Sequence, residues 1–263
     1  MAARMSAAPS TQGSSDSAAA LGWRLRPQGD RCLIVNFGDA IAPETGRLCL
    51  ALAQKLREAA LPGVTDVVPS FVAVAVHYAP LPDGSGPTWD TLSAQVRALI
   101  EAGLDAADEA GRDVEIPVCY GGEHGPDLEA VARACGHTPD EIIALHSSEP
   151  CMVYMLGFAP GHAYLGLHEL NLPRRDEPRT EVPAGSIAIA NRQTVIYPNR
   201  LPGGWHILGA TPLVMFDAQR DPPALLSPGD RVRFVPISEA RFRAMRAELQ
   251  ARQPAAPTTG KPA

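Results

Sequence analysis

The second half of the chain consists of short apolar runs that alternate with turns rich in Pro and Gly. The runs are CMVYMLGF from Cys151, SIAIA from Ser186, TVIYP from Thr194, HILG from His206, PLVMFD from Pro212 and RVRFVPI from Arg231. Pro makes up 26 of the 263 residues, roughly twice the usual share of about 5%. Because Pro breaks helix interiors and central strands, a helical bundle or coiled coil is excluded. Short strands at this spacing predict an all-β sandwich or barrel.

The first half has longer elements with clearer periodicity. Apolar residues at helical or alternating spacing predict, in this order, a strand Arg31–Phe37, a helix Glu44–Ala60, strands Val64–Val68 and Phe71–Tyr78, a helix Thr88–Ala102 and a strand Val114–Val118. The order β-α-β-β-α-β is that of a ferredoxin-like unit. We therefore predict an α+β chain with a ferredoxin-like domain followed by a β-barrel.

The expected boundaries follow from these patterns. Residues 1–20 are Ala/Ser-rich and are expected to form a disordered tail, 21–112 the ferredoxin-like domain and 113–245 the barrel, while 246–263 complete a last helix and a second tail. Two short helices precede Cys151, and the second begins at a Thr138–Glu141 capping box. A closing helix is predicted for Arg241–Gln250.

Composition limits the function classes. The net charge of −6 argues against nucleic acid as a partner, and an odd number of cysteines, 5, without a CxxC pair argues against a zinc site or a disulfide framework. A reducing cytosol is the expected compartment. No stretch predicts a signal peptide or a membrane span, and phosphate-loop, GxSxG and HExxH motifs are absent from the sequence.

Candidate binding groups are concentrated between Gly157 and Pro212. Arg174, Arg175 and Arg179 place three guanidiniums within six residues, a cluster that could bind a carboxylate or phosphate. The alternative is that nearby acidic residues neutralise them in surface pairs. These acidic neighbours are Asp176, Glu177 and Glu181.

Histidines and amide-reading groups lie in the same segment. His162 and His206 are candidate proton shuttles, and the alternative is that each is a packed or surface residue. Gln193, Thr194 and Tyr197 could orient an amide-like ligand, with Trp205 beside His206 as a further binding residue. A metal held by His162, His168 and His206 is a weaker alternative, because no partner carboxylate or Cys is obvious, so no metal is expected.

The segment also resembles a known family, the bacterial PxpB/KipI family, also called allophanate hydrolase subunit 1. The ordered motifs that carry the resemblance are Gly157–Gly161, Tyr164–Gly166, Pro173–Arg175, Pro178–Arg179, Val182–Ser186, Gln193–Thr194, Ile196–Pro198, Pro202–Trp205 and Thr211–Pro212, with earlier marks at Phe37–Asp39, Pro62–Val64, Asp66–Pro69, Ile116–Gly122 and Leu145–Ser147. The chain departs from the family pattern at His162, Asn191, Val195, Leu201 and Ala210, where an Arg is usual.

The resemblance implies a cyclophilin-like type for the barrel and an activity. Similar proteins act with PxpA-like and PxpC-like subunits as an ATP-dependent 5-oxoprolinase, which opens the pyroglutamate lactam to glutamate. ATP, with Mg²⁺, would then be a cofactor of the complex rather than of this chain. Alternatives within the resemblance are a regulator that inhibits a sensor histidine kinase, and a carboxyltransferase-like subunit of urea or amide metabolism. On the main interpretation the three arginines clamp anionic groups and His162 or His206 moves a proton.

Overall fold

The computed structural model describes residues 22–79, 81, 83, 85–104 and 111–252. The tails predicted for 1–20 and for the end of the chain lie outside the described residues, except for Arg246 to Arg252. The chain divides into two compact units, Met1–Asp108 and Glu109–Ala263. No helix among the described residues is both long and apolar enough to cross a membrane.

The first unit is an antiparallel four-stranded sheet with two helices. In chain order its elements are β1 (Arg24–Pro27), β2 (Cys32–Asn36), α1 (Pro43–Ala59), β3 (Val64–Pro69), β4 (Ala73–Tyr78) and α2 (Trp89–Glu101). The strand order in the sheet is β1-β2-β4-β3. Helix α1 starts with Pro at its first position and buries Leu48, Leu52 and Leu56 at four-residue spacing. A capping box formed by Thr88 and Thr91 begins α2.

The predicted order of strands in this unit is wrong at both ends. Val114–Val118 lies within β5 (Asp113–Tyr120), which belongs to the second unit and pairs in parallel with a strand that ends at Pro236. The position beside β2 is taken by β1, whose sequence RLRP is mostly exposed and has no apolar alternation. The described order is therefore ββαββα, and the buried face of β5 completes the barrel core instead.

The second unit contains a closed barrel of seven strands. Its strands are β5, β6 (Cys151–Leu156), β7 (Ala163–Gly166), β9 (Ser186–Ala190), β10 (Gln193–Ile196), β12 (His206–Ala210) and β13 (Arg231–Pro236). They close in the order β10-β7-β6-β13-β5-β12-β9, and β8 (Arg179–Val182) pairs with β11 (Leu201–Gly203) as a separate ribbon. Inward-facing apolar side chains such as Ile116, Leu165 and Phe234 fill the interior. The prediction of a barrel is confirmed.

Three helices accompany the barrel: α3 (Leu128–Cys135), α4 (Pro139–Ser148) and α5 (Glu239–Arg252). The predicted capping box is present, because the Thr138 hydroxyl accepts from the Glu141 N–H while the Glu141 carboxylate accepts from the Thr138 N–H. The predicted closing helix lies within α5. The run PLVMFD forms no strand: its pairing is limited, among the described residues, to an isolated bridge between Phe216 and Ala224.

Candidate functional site

A row of aromatic side chains lies on the outer face of the barrel. Along β7 and β10 the side chains alternate, so that Ala163, Leu165 and Ile196 join the interior, whereas Tyr164 and Tyr197 join an outer cluster with Trp205. The His162 ring is 4.9 Å from the Tyr164 ring and 5.1 Å from the Tyr197 ring, and Tyr164 is 6.1 Å from Trp205, centroid to centroid. These four residues, His162, Tyr164, Tyr197 and Trp205, are called the aromatic row below.

The two ends of the row reach solvent. At one end Phe158, which is 65% exposed and has a φ of 71°, places its ring edge-on 5.4 Å from His162. At the other end the exposed Arg174 places its guanidinium 5.3 Å from the centre of the Trp205 ring. A guanidinium over an indole face is a favourable cation–π contact that leaves its hydrogen-bond donors accessible to a ligand. Among the described residues no carboxylate forms a salt bridge with Arg174.

Burial shifts the pKa values of the row. It lowers the pKa of His162 to about 4, and the buried Nδ1 atom of this ring has no hydrogen-bond partner among the described residues. His162 is therefore neutral at pH 7. Burial and the neighbouring Tyr164 raise the pKa of Tyr197 to about 12 against the opposing charges of Arg174 and Arg179. Both guanidiniums thus lie close enough to the Tyr197 hydroxyl to be felt by it.

Glycine at position 203 is required by the same tyrosine. A Cβ atom at Gly203 would stand 2.1 Å from the Tyr197 hydroxyl oxygen. The PGG turn of the sequence therefore permits a close approach between the β8–β11 ribbon and the row.

Arg175 and Arg179 do not point freely to solvent, because both bind Asp127. The Arg175 Nη1 atom donates to Asp127 Oδ1 at 3.1 Å, and Arg179 donates to both carboxylate oxygens at 2.9 and 2.8 Å. Burial alone would raise the pKa of the Asp127 carboxyl, but the hydrogen bonds from Arg179 and from the Ile207 N–H, with both guanidinium charges, hold it below its ordinary value. The structure thus separates Arg174 from the two arginines predicted to act with it. Of the acidic neighbours expected to neutralise the cluster, Glu181 pairs with Arg200.

His206 is tied to the backbone near Arg174. Its Nε2 atom lies 2.9 Å from the Pro173 carbonyl oxygen. A carbonyl oxygen can only accept, so Nε2 carries the hydrogen and Nδ1 is the nitrogen left for other contacts. His206 therefore stands at the Arg174 end of the row.

Gln193 and Thr194 lie elsewhere. Gln193 pairs with Gly166 and Ala190 in the ladder at the start of β10. Thr194 is fully buried on the inner face of the barrel, where its hydroxyl is 3.0 Å from His146 Nε2. The structure does not bring Thr194 to the aromatic row.

His146 is the centre of a buried polar chain that sequence reasoning missed. Its Nδ1 atom is 2.7 Å from the Tyr120 hydroxyl, its ring stacks 4.4 Å from Phe234, and burial with the nearby His168 lowers its pKa to about 3. Burial also lowers the pKa of His168 to about 4; backbone carbonyls nearby oppose this only weakly, since no hydrogen bond of ordinary geometry reaches either ring nitrogen. The Leu145–Ser147 motif was the available signal for His146.

The three histidines weighed as metal ligands do not come together. In the part of the chain that the structure describes, the group with ligand atoms within 4.8 Å of one another is Glu123, His124 and Glu239. Arg243 already donates to Glu239, and its Nη2 atom lies 3.7 Å from Glu123 Oε1. Because this guanidinium neutralises the carboxylates, we assign no metal to them.

Comparison with known proteins defines the class to which this two-unit architecture belongs. The family described as carboxyltransferase domain, subdomain C and D, matches residues 23–226. The chain therefore belongs to the carboxyltransferase subdomain C and D family, the family to which the sequence motifs pointed.

Among individual relatives, the chain is similar to proteins named as the B-type subunit of 5-oxoprolinase. It is 38% identical over 234 residues to the Bacillus subtilis protein, in a match that covers 86% of this chain and 98% of the relative. It is 39% identical over 213 residues to the Escherichia coli protein, in a match that covers 80% of this chain and 94% of the relative. The name of these relatives describes one component of a larger assembly.

Solved structures support the same class. The crystal structure of TTHA0988 matches 79% of this chain at 38% identity with a TM-score of 0.69, and this chain corresponds to only 40% of that one. The Kluyveromyces lactis urea amidolyase matches 86% of this chain at 18% identity with a TM-score of 0.68, and the match is 15% of that enzyme. The second likeness shows a shared fold.

Proposed function

We propose that this chain is a subunit of an ATP-dependent 5-oxoprolinase that acts in the cytosol with PxpA-like and PxpC-like partner subunits. The observation that carries the proposal is the identity of 38–39% to two proteins named as a 5-oxoprolinase subunit, almost the full length of which is matched. We also propose that the barrel is cyclophilin-like, and that the first unit is a ferredoxin-like sheet in which β1 takes the edge position.

The reaction sets what a binding site must provide. 5-Oxoproline is a five-membered lactam ring with one carboxylate, and its hydrolysis breaks the C–N bond of the lactam and adds one water to give glutamate. Because an amide is a poor electrophile, the enzyme must hold the ring in a fixed orientation and stabilise charge that develops on the lactam oxygen. A small monoanionic ring thus requires one cation, an apolar surface and a partner for the lactam N–H.

The aromatic row offers these three features in order. On our proposal Arg174 binds the carboxylate, the ring lies against Trp205 and Tyr164, and the unpartnered His162 Nδ1 accepts the lactam N–H. A ligand reaches His162 only when Phe158 moves aside, which its exposure of 65% permits. His206 binds the ligand edge through Nδ1 in this arrangement, and Tyr197 supports the His162 ring.

The residues of this chain do not fit a nucleotide site equally well. Arg175 and Arg179, predicted as anion clamps, are bound to a buried carboxylate, and the sequence has no phosphate loop. We therefore route no phosphoryl step through this chain, and we propose that ATP and Mg²⁺ bind on a partner subunit. Trp205, Arg174 and His162 then serve to present the lactam.

Reconstitution tests the proposal. The chain alone, and then with its two partner subunits, is assayed for glutamate release from 5-oxoproline with and without ATP. We expect no turnover by the chain alone and ATP-dependent turnover by the assembly. No turnover by the complete assembly would contradict the proposal.

A matched pair of variants tests the site. Arg174→Gln is expected to raise KM for 5-oxoproline about 10- to 100-fold, because a charge-assisted hydrogen bond is worth about 1.5–3 kcal/mol. The control is Arg246→Gln, since Arg246 is also an exposed arginine over an aromatic ring, Phe242, at 5.9 Å. Equal effects of the two substitutions would remove Arg174 from the site.

The other functions implied by the resemblance make different predictions. A carboxyltransferase role draws on the urea amidolyase likeness, which at 18% identity concerns the fold. A kinase regulator would block autophosphorylation of a sensor histidine kinase without any partner subunit. Kinase inhibition by the purified chain, together with an inactive assembly, would favour that function instead.

A further inference from the structure

Asp127 joins three separate parts of the barrel unit through one buried carboxylate. It stands directly before α3, its Oδ2 atom accepts from the Ile207 N–H at 2.8 Å, and its own N–H donates to the Ile207 carbonyl at 3.1 Å. These two bonds fix Asp127 to β12. On the other side its oxygens accept from Arg175 and Arg179, as described above.

The segment held by these arginines has little other support. Residues 173–178 form no helix or strand, so their conformation depends on individual hydrogen bonds. The Arg175 N–H donates to the Gly204 carbonyl at 2.7 Å, and His206 Nε2 donates to the Pro173 carbonyl at 2.9 Å. Arg174 lies between these two tethered residues.

From this arrangement we infer that Asp127 is a positioning residue, which holds Arg175 and Arg179 so that Arg174 faces the substrate carboxylate over Trp205. The inference rests on the proposed function, because it takes Arg174 as the carboxylate-binding group. Asp127 itself is buried and bonded to protein groups, so it acts through its neighbours and does not contact the substrate.

The negative charge of Asp127 is what the inference requires. Asp127→Asn keeps an oxygen that can accept from the Ile207 N–H, but it removes the charge and the second acceptor shared by the guanidiniums. Arg175 and Arg179 are 32% and 25% exposed, so they can turn to water without leaving a buried unpaired charge. The variant is therefore expected to fold with a loosened 173–178 segment.

The barrel provides a matched control in Asp230. This carboxylate is equally buried, pairs with Arg112 at 2.6 Å and accepts from the backbone of Arg112 and Ser227. None of its partners belongs to the 173–178 segment. Asp230→Asn thus removes a comparable buried ion pair from the same unit without releasing Arg174.

Two measurements test the inference. Amide hydrogen exchange on the full chain reports the Arg175 N–H directly, and steady-state kinetics on the assembled enzyme separates KM for 5-oxoproline from kcat. For Asp127→Asn we expect faster exchange at Arg175 and a KM about 10-fold higher with kcat changed less, since supporting residues typically contribute about 10- to 100-fold. For Asp230→Asn we expect neither change.

The outcomes separate this inference from the proposed function. Unchanged exchange at Arg175, or the same rise in KM for both Asp variants, overturns the inference. An unchanged KM in Asp127→Asn overturns it as well, provided that Arg174→Gln raises KM. If Arg174→Gln itself leaves KM unchanged, the proposed site fails instead. Should Asp127→Asn not fold, Arg175→Gln carries the same expectations.

Discussion

Three buried, neutral histidines make the barrel unit sensitive to acid. His146, His162 and His168 have pKa values lowered by burial from 6.5 to about 3, 4 and 4. Since the unfolded chain takes up a proton at each site below pH 6.5 and the folded barrel does not, the unfolded state binds more protons and stability falls as the pH falls. The loss runs from pH 6.5 down to about 4 and is absent above pH 7.

The magnitude depends mainly on the unfolded pKa. Each histidine costs about 1.4 kcal/mol per pH unit between its two pKa values, or about 2 kcal/mol between pH 6.5 and pH 5. Three such groups predict that the free energy of unfolding of the barrel falls by about 5 kcal/mol between pH 7 and pH 5. For a domain of ordinary stability, about 5–15 kcal/mol, this loss is large.

The assay must follow the barrel unit alone. Trp205 is the tryptophan of the second unit, whereas Trp23 and Trp89 belong to the first. Urea unfolding followed by Trp205 fluorescence in a Trp23→Phe, Trp89→Phe background therefore gives the free energy at each pH. His162→Phe removes one of the three groups and is expected to reduce the loss by about a third.

An exposed histidine supplies the control for this experiment. The His137 side chain is 41% exposed, so His137→Gln is expected to leave the pH dependence of barrel stability unchanged. A free energy of unfolding that is the same at pH 5 and pH 7 would refute the reasoning. An effect of His137→Gln equal to that of His162→Phe would refute it too.

Other predictions concern single contacts and are checked by urea unfolding. Gly125→Ala is expected to destabilise the barrel by about 3 kcal/mol, because the new Cβ would lie 2.0 Å from a backbone carbonyl oxygen, whereas Gly122→Ala meets nothing within 4 Å and should cost about 1 kcal/mol of strain. Thr194→Val removes the hydroxyl beside His146 and is expected to cost about 1–3 kcal/mol. Thr88→Ala removes the N-cap of α2 and should cost the first unit about 1 kcal/mol.

Elements with strong local signals could be predicted from the sequence, but the choice of sheet could not. The spacing of Leu48, Leu52 and Leu56 specifies one helix face, and the Thr138 capping box specifies a helix start. By contrast, a strand sequence does not name its neighbours: β5 reads as an ordinary strand after α2, yet its pairing with β13 lies more than 110 residues away in the chain. Strand β1 escaped notice because an exposed edge strand needs no apolar alternation.

The candidate site shows the same limit at the level of single side chains. Arg174 and Arg175 are adjacent in the sequence and identical in chemistry, yet one lies over Trp205 and the other binds Asp127. What separates them is a carboxylate 48 residues earlier, at a position where the sequence indicates only the start of a helix. Residue type and clustering could identify the segment, but the pairing of its charges depends on tertiary contacts.

The electrostatics of His162 bear on which step this chain can perform. A general base works best when its pKa is near the working pH, and a group with a pKa of about 4 is roughly a thousandfold less basic than one poised at 7. A neutral imidazole with an unpartnered Nδ1 is nevertheless a good hydrogen-bond acceptor. His162 therefore suits the orientation of a lactam N–H better than the abstraction of a proton from water. On the proposed function, the group that activates water then has to come from a partner subunit, which agrees with the expectation that this chain alone is inactive.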